Sequence, residues 1–327
     1  MKGNFGHKLH WWRLRTQWYR KKLAPSLPPY FVNIEPTGFC NLHCKICSYR
    51  QDRGKGYIER QLALKAIENA AQFGVSEIRF FLAGEPLFHP HLDEMISAAR
   101  QRGLLTMVHT NATILDEKHA AQLLDSQLDA LSLSFDGENA EEYESVRIGS
   151  KFEPTMNNIV RFLEMKKARA QKLPHVTLQV IKLYRGNSHS PRLSPEFKRR
   201  FDGLPVNRFF VLLPFAWPGQ EPRDFVRPVG RKYFPCPVLW QSLSIAWDGR
   251  ILGCCGDLNG VVTLGDIRQH RLEEIWNGPT MIEMRRRHVL KQHRSIPLCR
   301  HCDAVFVRVH PAIRDIKELL IGKWTPL

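Results

Sequence analysis

Cys40-Asn41-Leu42-His43-Cys44-Lys45-Ile46-Cys47 puts three thiols into one short stretch, spaced Cys-x3-Cys-x2-Cys. It follows an apolar run, Phe31–Glu35, and the breakers Pro36 and Gly38. That order reads as a strand opening into a loop. Three cysteines on one loop can converge on one metal centre. A cubane of four irons takes four ligands, so three thiolates leave one iron open to a substrate or cosubstrate. A zinc knuckle or a redox pair is the other reading of this loop taken alone. Structural zinc sites are closed by four ligands, and His43, inside the loop beside Cys44, is awkwardly placed to chelate the same ion.

Outward from this loop the chain alternates between two periodicities. Strand patterns are expected at Phe31–Glu35, Glu77–Leu82, Leu104–His109, Ala130–Phe135, His175–Leu183 and Arg208–Leu213. Helix patterns lie between them at Gln61–Phe73, Leu92–Arg102, Asp116–Ser126, Ala140–Val146 and Pro154–Ala170, with a short helix after Pro195. Six strand–helix units argue an α/β fold with a parallel sheet, here an incomplete (β/α)6 barrel of the TIM type. In parallel barrels the chemistry sits where strands end and loops begin.

The strand ends carry candidates. Leu82-Ala83-Gly84-Glu85-Pro86 follows the second strand, His109-Thr110-Asn111-Ala112 the third, and Leu133-Ser134-Phe135-Asp136-Gly137 the fourth. Gly84 permits a close backbone approach, and Glu85 offers a carboxylate to a cation. Asn111 can stabilise a turn or meet a ligand. Ser134 and Asp136 alternate onto one face of a strand. Gln179, on the fifth strand, is either a ligand for a ribose hydroxyl or an ordinary interior amide.

The cysteine spacing and these strand ends together resemble the radical S-adenosylmethionine (SAM) enzymes. The resemblance implies a SAM-chelating [4Fe–4S] cluster on Cys40, Cys44 and Cys47, an electron from which splits SAM to a 5′-deoxyadenosyl radical. It implies that Gly84 and Glu85 hold the SAM amino group, with Ala83 in place of the family's first glycine. Asn111, Ser134 and Gln179 would position SAM, and Asp136 would point toward the substrate. Ala112 stands where the family has glycine, and Ile46 where it usually has an aromatic. The cofactors implied are SAM and two [4Fe–4S] clusters, and a flavodoxin or ferredoxin is the expected reductant.

The second cluster comes from the C-terminal third. Cys236, the adjacent pair Cys254-Cys255, and Cys299-x2-Cys302 supply four thiolates and one spare. With Leu264-Gly265-Asp266-Ile267 and Leu272-Glu273-Glu274-Ile275-Trp276-Asn277 between them, they resemble the SPASM-type auxiliary-cluster extension. Cys236, Cys255, Cys299 and Cys302 are taken as ligands. Cys254 is then the free thiol, either a buried spare or a hydrogen-atom donor to a carbon radical. Which of the adjacent pair is the ligand stays open at this level.

The expected divisions are a basic aromatic segment 1–29, the barrel 30–215, a Pro/Gly-rich linker 216–232, a small cysteine-rich auxiliary-cluster domain 233–306, and a closing helix or tail 307–327. Clustered cysteines favour cofactor binding in a reducing compartment over a disulfide framework. The net charge is +16, and seven cations precede the first acidic residue, Glu35. Such a chain suits an acidic partner. Residues 1–24 either lie on an anionic membrane surface or dock their aromatics on the barrel. The location expected is cytoplasmic, or peripheral at the inner face of the membrane. The run Arg285-Arg286-Arg287-His288 is either a solvated helix face or a contact for an anionic substrate.

The function expected is hydrogen abstraction from a sugar, aminocyclitol or glycan, ending in dehydrogenation or epimerisation. A peptide-modifying maturase is the alternative, and a small molecule or glycan the substrate partner. A zinc-holding, basic nucleic-acid-binding protein is the reading from another class; it leaves the Gly84-Glu85-Pro86 and Ser134-x-Asp136 strand ends unexplained.

Overall fold

Strand β1 (Phe31–Ile34) lies inside one nine-stranded sheet, with partners on both sides. The computed structural model describes residues 2–49, 54–182, 192–212, 216, 218, 232–307, 311 and 312. On one side of β1 come β2 (Glu77–Phe80), β3 (Leu105–Thr110), β4 (Ala130–Ser134), β5 (His175–Ile181) and β6 (Arg208–Leu212), each parallel to the last. Helices α2 (Arg60–Phe73), α3 (Leu92–Gln101), α4 (Glu117–Asp125), α5 (Ala140–Val146) and α6 (Phe152–Ala168) make the crossovers, with a short α7 (Pro195–Arg199) before β6. The chain is therefore α/β with six parallel strands in sequence order, the partial barrel the alternation predicts.

Local chemistry sets the helix limits. α2 stops at Gly74, whose φ of 87° no other residue adopts cheaply and whose N–H returns to Ala70 and Ala71. Asp116 and Asn139 cap α4 and α5 by accepting from His119 N and Glu142 N. The helix expected from Pro154 begins at Phe152, because proline is tolerated in a first turn, where its missing N–H has no partner to lose. The expected strands ending at Glu35 and Leu82 stop at Ile34 and Phe80. Beyond them the backbone turns into the loops that build the site.

Strand alternation sorts the side chains. Val32, Ile34, Ile78, Phe80, Val108, Leu131, Leu133, Val176, Leu178 and Val180 point out to the helices and form the main core. Asn33, Glu77, Arg79, His109, Ser132, Ser134, Thr177 and Gln179 take the alternate positions. The inner face is thus polar. It is buried along β1 and β2 and partly open along β3, β5 and β6.

The sheet also runs where the sequence placed a domain boundary. β8 (Ser242–Ile245) pairs parallel to the free side of β1, and β9 (Arg250–Leu252) and β10 (Thr263–Asp266) continue from it antiparallel. The cysteine-rich region is thereby built onto the barrel's first strand, which would otherwise present an unpaired edge. A two-residue β7 (Lys232–Tyr233) pairs with β11 (Phe306–Val307), closing this region on itself. α8 (Leu272–Trp276) and α9 (Pro279–Val289) complete it. Most of the expected linker and residues 313–320 of the expected closing helix lie outside the described residues.

α1 (Lys2–Tyr19) docks on the body. Trp11 and Leu14 pack with Tyr30 and Phe31 where β1 begins, and Trp18 joins the main core. Trp18 Nε1 donates to the Pro235 carbonyl at 3.1 Å. The aromatic face offered to a bilayer in the membrane reading is therefore used internally. Nor do the prolines after α1 detach it. Trp240 Nε1, Arg285, Asn277 Nδ2 and Trp276 Nε1 donate to the carbonyls of Lys22, Leu23, Pro25 and Leu27 in turn. Arg285 is fully buried, 4.3 Å over the Trp276 ring, with its pKa drawn down to about 9 by burial. Arg286 and Arg287 pair with Glu283. The basic run is thus not one solvated face: its first member is a structural clamp, and its next two are partly exposed partners of Glu283.

Candidate active site

The cysteine loop leaves β1 and is held from three directions. Glu85 N donates to Phe39 O at 2.8 Å from the β2 end. His43 N and Lys45 N donate to Ile148 O and Val146 O at the end of α5. Asn111 Nδ2 donates to Asn41 Oδ1 at 3.1 Å, and Asn41 Nδ2 to Thr113 Oγ1 at 2.8 Å, after β3. Gly84 lets this happen. A Cβ there would stand 2.0 Å from Thr37 O and 2.8 Å from Phe39 O. The close approach expected of Gly84 is therefore to the cysteine loop's own backbone.

Glu85 is 2% exposed, and its carboxylate is filled by its own chain. It accepts from Thr110 Oγ1 at 2.6 Å, Leu87 N at 3.2 Å and Asn111 N at 2.7 Å. Burial raises its pKa, and these donors oppose the rise. The geometry makes Glu85 a tie between the ends of β2 and β3. Asp136, fully buried, accepts from Arg147 Nε at 2.8 Å and from Ile181 N at 2.7 Å. A role for Asp136 therefore runs through Arg147. Ser134 Oγ is 2.5 Å from His109 Nε2. His109, its pKa lowered to about 4 by burial, then by Arg147 and Arg79, stays a neutral imidazole. Gln179 sits beside Ser134 in register and is partly open.

Two residues that sequence reading passed over complete this end of the barrel. Glu35, fully buried, accepts from Ala83 N at 3.1 Å and from Trp247 N at 3.0 Å, joining β1, β2 and the C-terminal region. The signal for it was its position, one residue past β1 and before the breaker Pro36. Arg147, 8% exposed, pairs with Asp136 and acts electrostatically on Cys44. A cation so near the thiols favours whatever negative charge is gathered on them. Its place at the end of a short helix gave no sequence signal.

The thiols fall into two sets, all of them free of disulfides. Cys40, Cys44 and Cys47 are partly open and influence one another electrostatically. Cys236, Cys254, Cys299 and Cys302 are 7–8% exposed, and Cys255 is more open. Burial pushes the thiols of Cys40, Cys236, Cys299 and Cys302 up to about 12. Cys47 Sγ accepts from Tyr49 N at 3.4 Å and Cys254 Sγ from Gly256 N at 3.3 Å, each two residues on. Cys40, Cys236 and Cys302 take Leu42, Val238 and Ala304 in the same way. Amides aimed at sulfur suit thiolates that carry an iron–sulfur cluster's negative charge. Among the described residues no three His, Cys, Asp or Glu side chains close on a single metal-ion position. The donor chemistry, three thiols with open space in one set and a full shell in the other, fits two clusters.

Comparisons with known proteins agree with this geometry. Residues 34–179 match the radical SAM superfamily and residues 236–303 match SPASM, an iron–sulfur cluster-binding domain. The chain is 32% identical to a PqqA peptide cyclase of Gluconobacter oxydans over 288 residues, 79% of each chain. It is 30% identical to a probable GTP 3′,8-cyclase of Methanococcus maripaludis over 129 residues, 38% of this chain and 43% of that one. Like the latter, several other curated relatives are matched over less than half of their length. Among solved structures, BtrN in complex with AdoMet and 2-DOIA superposes with a TM-score of 0.55 at 17% identity, covering 86% of this chain and 95% of that one. Native anSMEcpe with bound AdoMet and Cp18Cys peptide gives 0.61 at 15% identity, covering 90% and 96%. The chain belongs to the radical SAM superfamily and carries a SPASM cluster domain; its cofactors are SAM and [4Fe–4S] clusters.

Proposed function

We propose that this radical SAM enzyme abstracts hydrogen from a C–H bond of a polyhydroxylated substrate, a sugar, aminocyclitol or glycan, and completes a dehydrogenation or an epimerisation. The observation that carries the reading is the polar inner face of the barrel. His109, Thr177, Gln179 and Arg208 alternate inward on β3, β5 and β6, the strands left partly open, with Ser132 and Ser134 of β4 buried between them. Hydroxyl, amide and imidazole groups at such spacing hydrogen-bond a hydroxylated ligand, and Arg208 adds a cation for an anionic one.

Bound on Cys40, Cys44 and Cys47 with SAM at the open iron, the first cluster supplies a hydrogen-abstracting radical. The chain's own residues do the rest. Gly84 and Glu85 fix the cysteine loop against β2 and β3. Asn111 ties Asn41 of that loop to the end of β3. Ser134 and Gln179, adjacent across β4 and β5, offer a hydroxyl and an amide to the nucleoside end of SAM. Arg147, locked by Asp136, places its charge beside Cys44. Cys236, Cys299, Cys302 and one of Cys254 and Cys255 hold the auxiliary cluster. The reductant and the substrate come from outside; a flavodoxin or ferredoxin is the donor we infer.

The test uses anaerobically reconstituted protein with SAM, a low-potential reductant and uniformly deuterated sugars, aminocyclitols or glycans. A matched substrate puts deuterium into 5′-deoxyadenosine, read by mass. A peptide set run in parallel addresses a second reading, a peptide-modifying maturase, which the long alignment with a PqqA peptide cyclase favours. Deuterium transfer from a peptide and from none of the hydroxylated compounds would sink the first reading.

A further inference from the structure

The cysteine loop has a fourth support, and it comes from the C-terminal region. The segment that carries the loop closes on itself at a neck. Gly38 N donates to Gly56 O at 2.9 Å, Ile58 N to Pro36 O at 2.9 Å and Thr37 Oγ1 to Gly56 O at 2.7 Å, and Thr37 pairs with Tyr57 in an antiparallel bridge. Cys40, Cys44 and Cys47 all lie within the loop so closed. The Trp247 indole lies against this neck. A Cβ on Gly38 would stand 2.7 Å from Trp247 Nε1 and 2.9 Å from its Cδ1. One on Gly56 would stand 2.3 Å from Cζ3, 2.6 Å from Cε3 and 2.8 Å from Cη2. Gly38 therefore meets the pyrrole edge of the indole and Gly56 its benzo edge. Neither glycine has a left-handed φ, so the backbone's own course does not call for them. What each makes room for is the ring.

The ring is aimed from fixed backbone. Trp247 sits in the turn that joins β8 to β9, closed by Gly249 N donating to Ala246 O at 2.9 Å. Asp248 accepts from Arg250 Nε at 2.9 Å through its carboxylate and from Arg268 at 2.7 Å through its carbonyl. Trp247 N donates to the Glu35 carboxylate that also takes Ala83 N, so the turn is tied to the ends of β1 and β2. Trp247 Nε1 is buried with no acceptor among the described residues. An unpaired buried N–H costs stability, so the indole is there for its flat shape and not for a hydrogen bond. The far end of the cysteine loop is held from the same region. Asn259 Nδ2 donates to Ser48 O at 2.8 Å, one residue past Cys47, from a turn in which Asp257 accepts from Val261 N and Val262 N at 2.8 Å.

We propose that Trp247 is a positioning residue for SAM cleavage: its ring, seated on Gly38 and Gly56, sets where the cysteine loop stands, so the C-terminal region governs the first cluster as well as holding the second. The Gly84 backbone limits how near the neck comes to β2, and the Trp247 ring limits it from the C-terminal region. Without the ring, the neck can fill the space only by shifting. A shift there moves all three thiols together, because they lie in the loop that it closes. Reaction geometry is sensitive to displacements on the ångström scale, even when they begin away from the reacting atoms. The proposal rests on membership of the radical SAM superfamily and is independent of the substrate class.

The experiment needs no substrate, so its failure is separate from that of the hydroxylated-substrate reading. Wild type, Trp247→Ala, Trp247→Phe, Gly56→Ala and the double variant of Trp247→Ala with Gly56→Ala are compared in two states. In the apo-protein, hydrogen exchange read by mass should be several-fold faster over residues 36–49 and 54–58 in Trp247→Ala, and unchanged over β5 across the sheet. In the anaerobically reconstituted protein, Trp247→Ala should keep its about eight irons. Its electron paramagnetic resonance signal should respond less to SAM, and SAM with dithionite should give about tenfold less 5′-deoxyadenosine per minute. Trp247→Phe keeps a flat ring and loses the unpaired N–H, so it should recover most of each effect. At Gly56 the nearest atoms are all the ring's, so Gly56→Ala should loosen the same residues, and the double variant should be no worse than Trp247→Ala. Wild-type exchange and a wild-type response to SAM in Trp247→Ala overturn the proposal. So does Trp247→Phe as impaired as Trp247→Ala, or exchange raised equally over β5, which makes the residue a general stabiliser. Losses that add in the double variant overturn the route through Gly56. Should Trp247→Ala fail to fold, Gly56→Ala with wild-type exchange and cleavage still overturns it.

Discussion

The two sets of cysteines are built on opposite principles. Cys40, Cys44 and Cys47 come from one short loop and stay partly open. Their loop is fixed by the ends of β2, β3 and α5. Cys236, Cys254, Cys299 and Cys302 come from segments far apart in sequence and are 7–8% exposed. A local loop can leave one side of its centre free for a cosubstrate, because no distant chain has to close over it. A set assembled from several segments closes as the fold closes, and it suits a cluster with a complete protein shell. The difference teaches that exposure, more than ligand count, separates a reaction centre from its auxiliary.

The largest expected break in this comparison is Cys44→Ala. It should abolish SAM cleavage and remove about half the iron, while the second set still loads. Iron analysis and electron paramagnetic resonance before and after addition of SAM check it. Loss of both clusters together would show that the two sets are one cooperative unit.

Gly84→Ala comes next. Its Cβ would meet Thr37 O at 2.0 Å, and backbone cannot move aside cheaply. A destabilisation of about 3 kcal/mol is expected from such overpacking, with first-cluster loading impaired and the auxiliary cluster retained. Urea unfolding of the apo-protein gives the stability. A midpoint equal to wild type would mean that the loop relaxes and that its position is not set here.

Glu35→Gln is smaller. The amide keeps one acceptor for Ala83 N or Trp247 N and turns an NH2 toward the other. A cost of about 1–3 kcal/mol follows from one buried donor left unpaired. Since Glu35 joins β1, β2 and the C-terminal region, proteolysis should release the two halves more readily. Unchanged proteolysis would show that β8 pairing with β1 holds them without it.

The smallest effect is one of pH. His288, 1% exposed, has its pKa lowered to about 4 by burial, and its Nδ1 accepts from Cys236 N. The folded state then binds fewer protons than the unfolded state between about pH 6.5 and 4. Stability is full above that window and falls as pH drops through it. His109 has the same direction and is also lowered to about 4 by burial. Acid should therefore loosen both ends of the molecule, with a Tm fall of a few degrees between pH 6.5 and 5 for the apo-protein. His288→Gln should flatten that slope; a slope unchanged by it would place the titration elsewhere.

Much of this was readable in sequence where the signal is local. The three-cysteine loop, the helix endings at Gly74 and Asp116, and the outward-facing Val and Leu positions depend on neighbours a few residues away. Gly84 was picked out as a place of close approach, but what approaches it, the carbonyl of Thr37, belongs to another strand end. Arg147 gave no pattern and Glu35 only its place before the breaker Pro36, since a carboxylate joining three segments and a cation set against a thiol have no periodicity. The docking of α1 was open for the same reason. Aromatics and cations at helical spacing suit a bilayer and a protein surface equally well, and it took Trp18 reaching Pro235 to show that the helix docks on the body.

By itself, the sequence determined the chemistry available: which thiols exist, how they cluster, and that three of them follow the first parallel strand. Those follow from residue type and short-range geometry. Tertiary structure alone decided that β8 extends the barrel sheet, that Arg285 is buried, and that Glu35 joins β1, β2 and the C-terminal region. Each of those depends on which distant backbone groups and apolar surfaces meet when water is excluded.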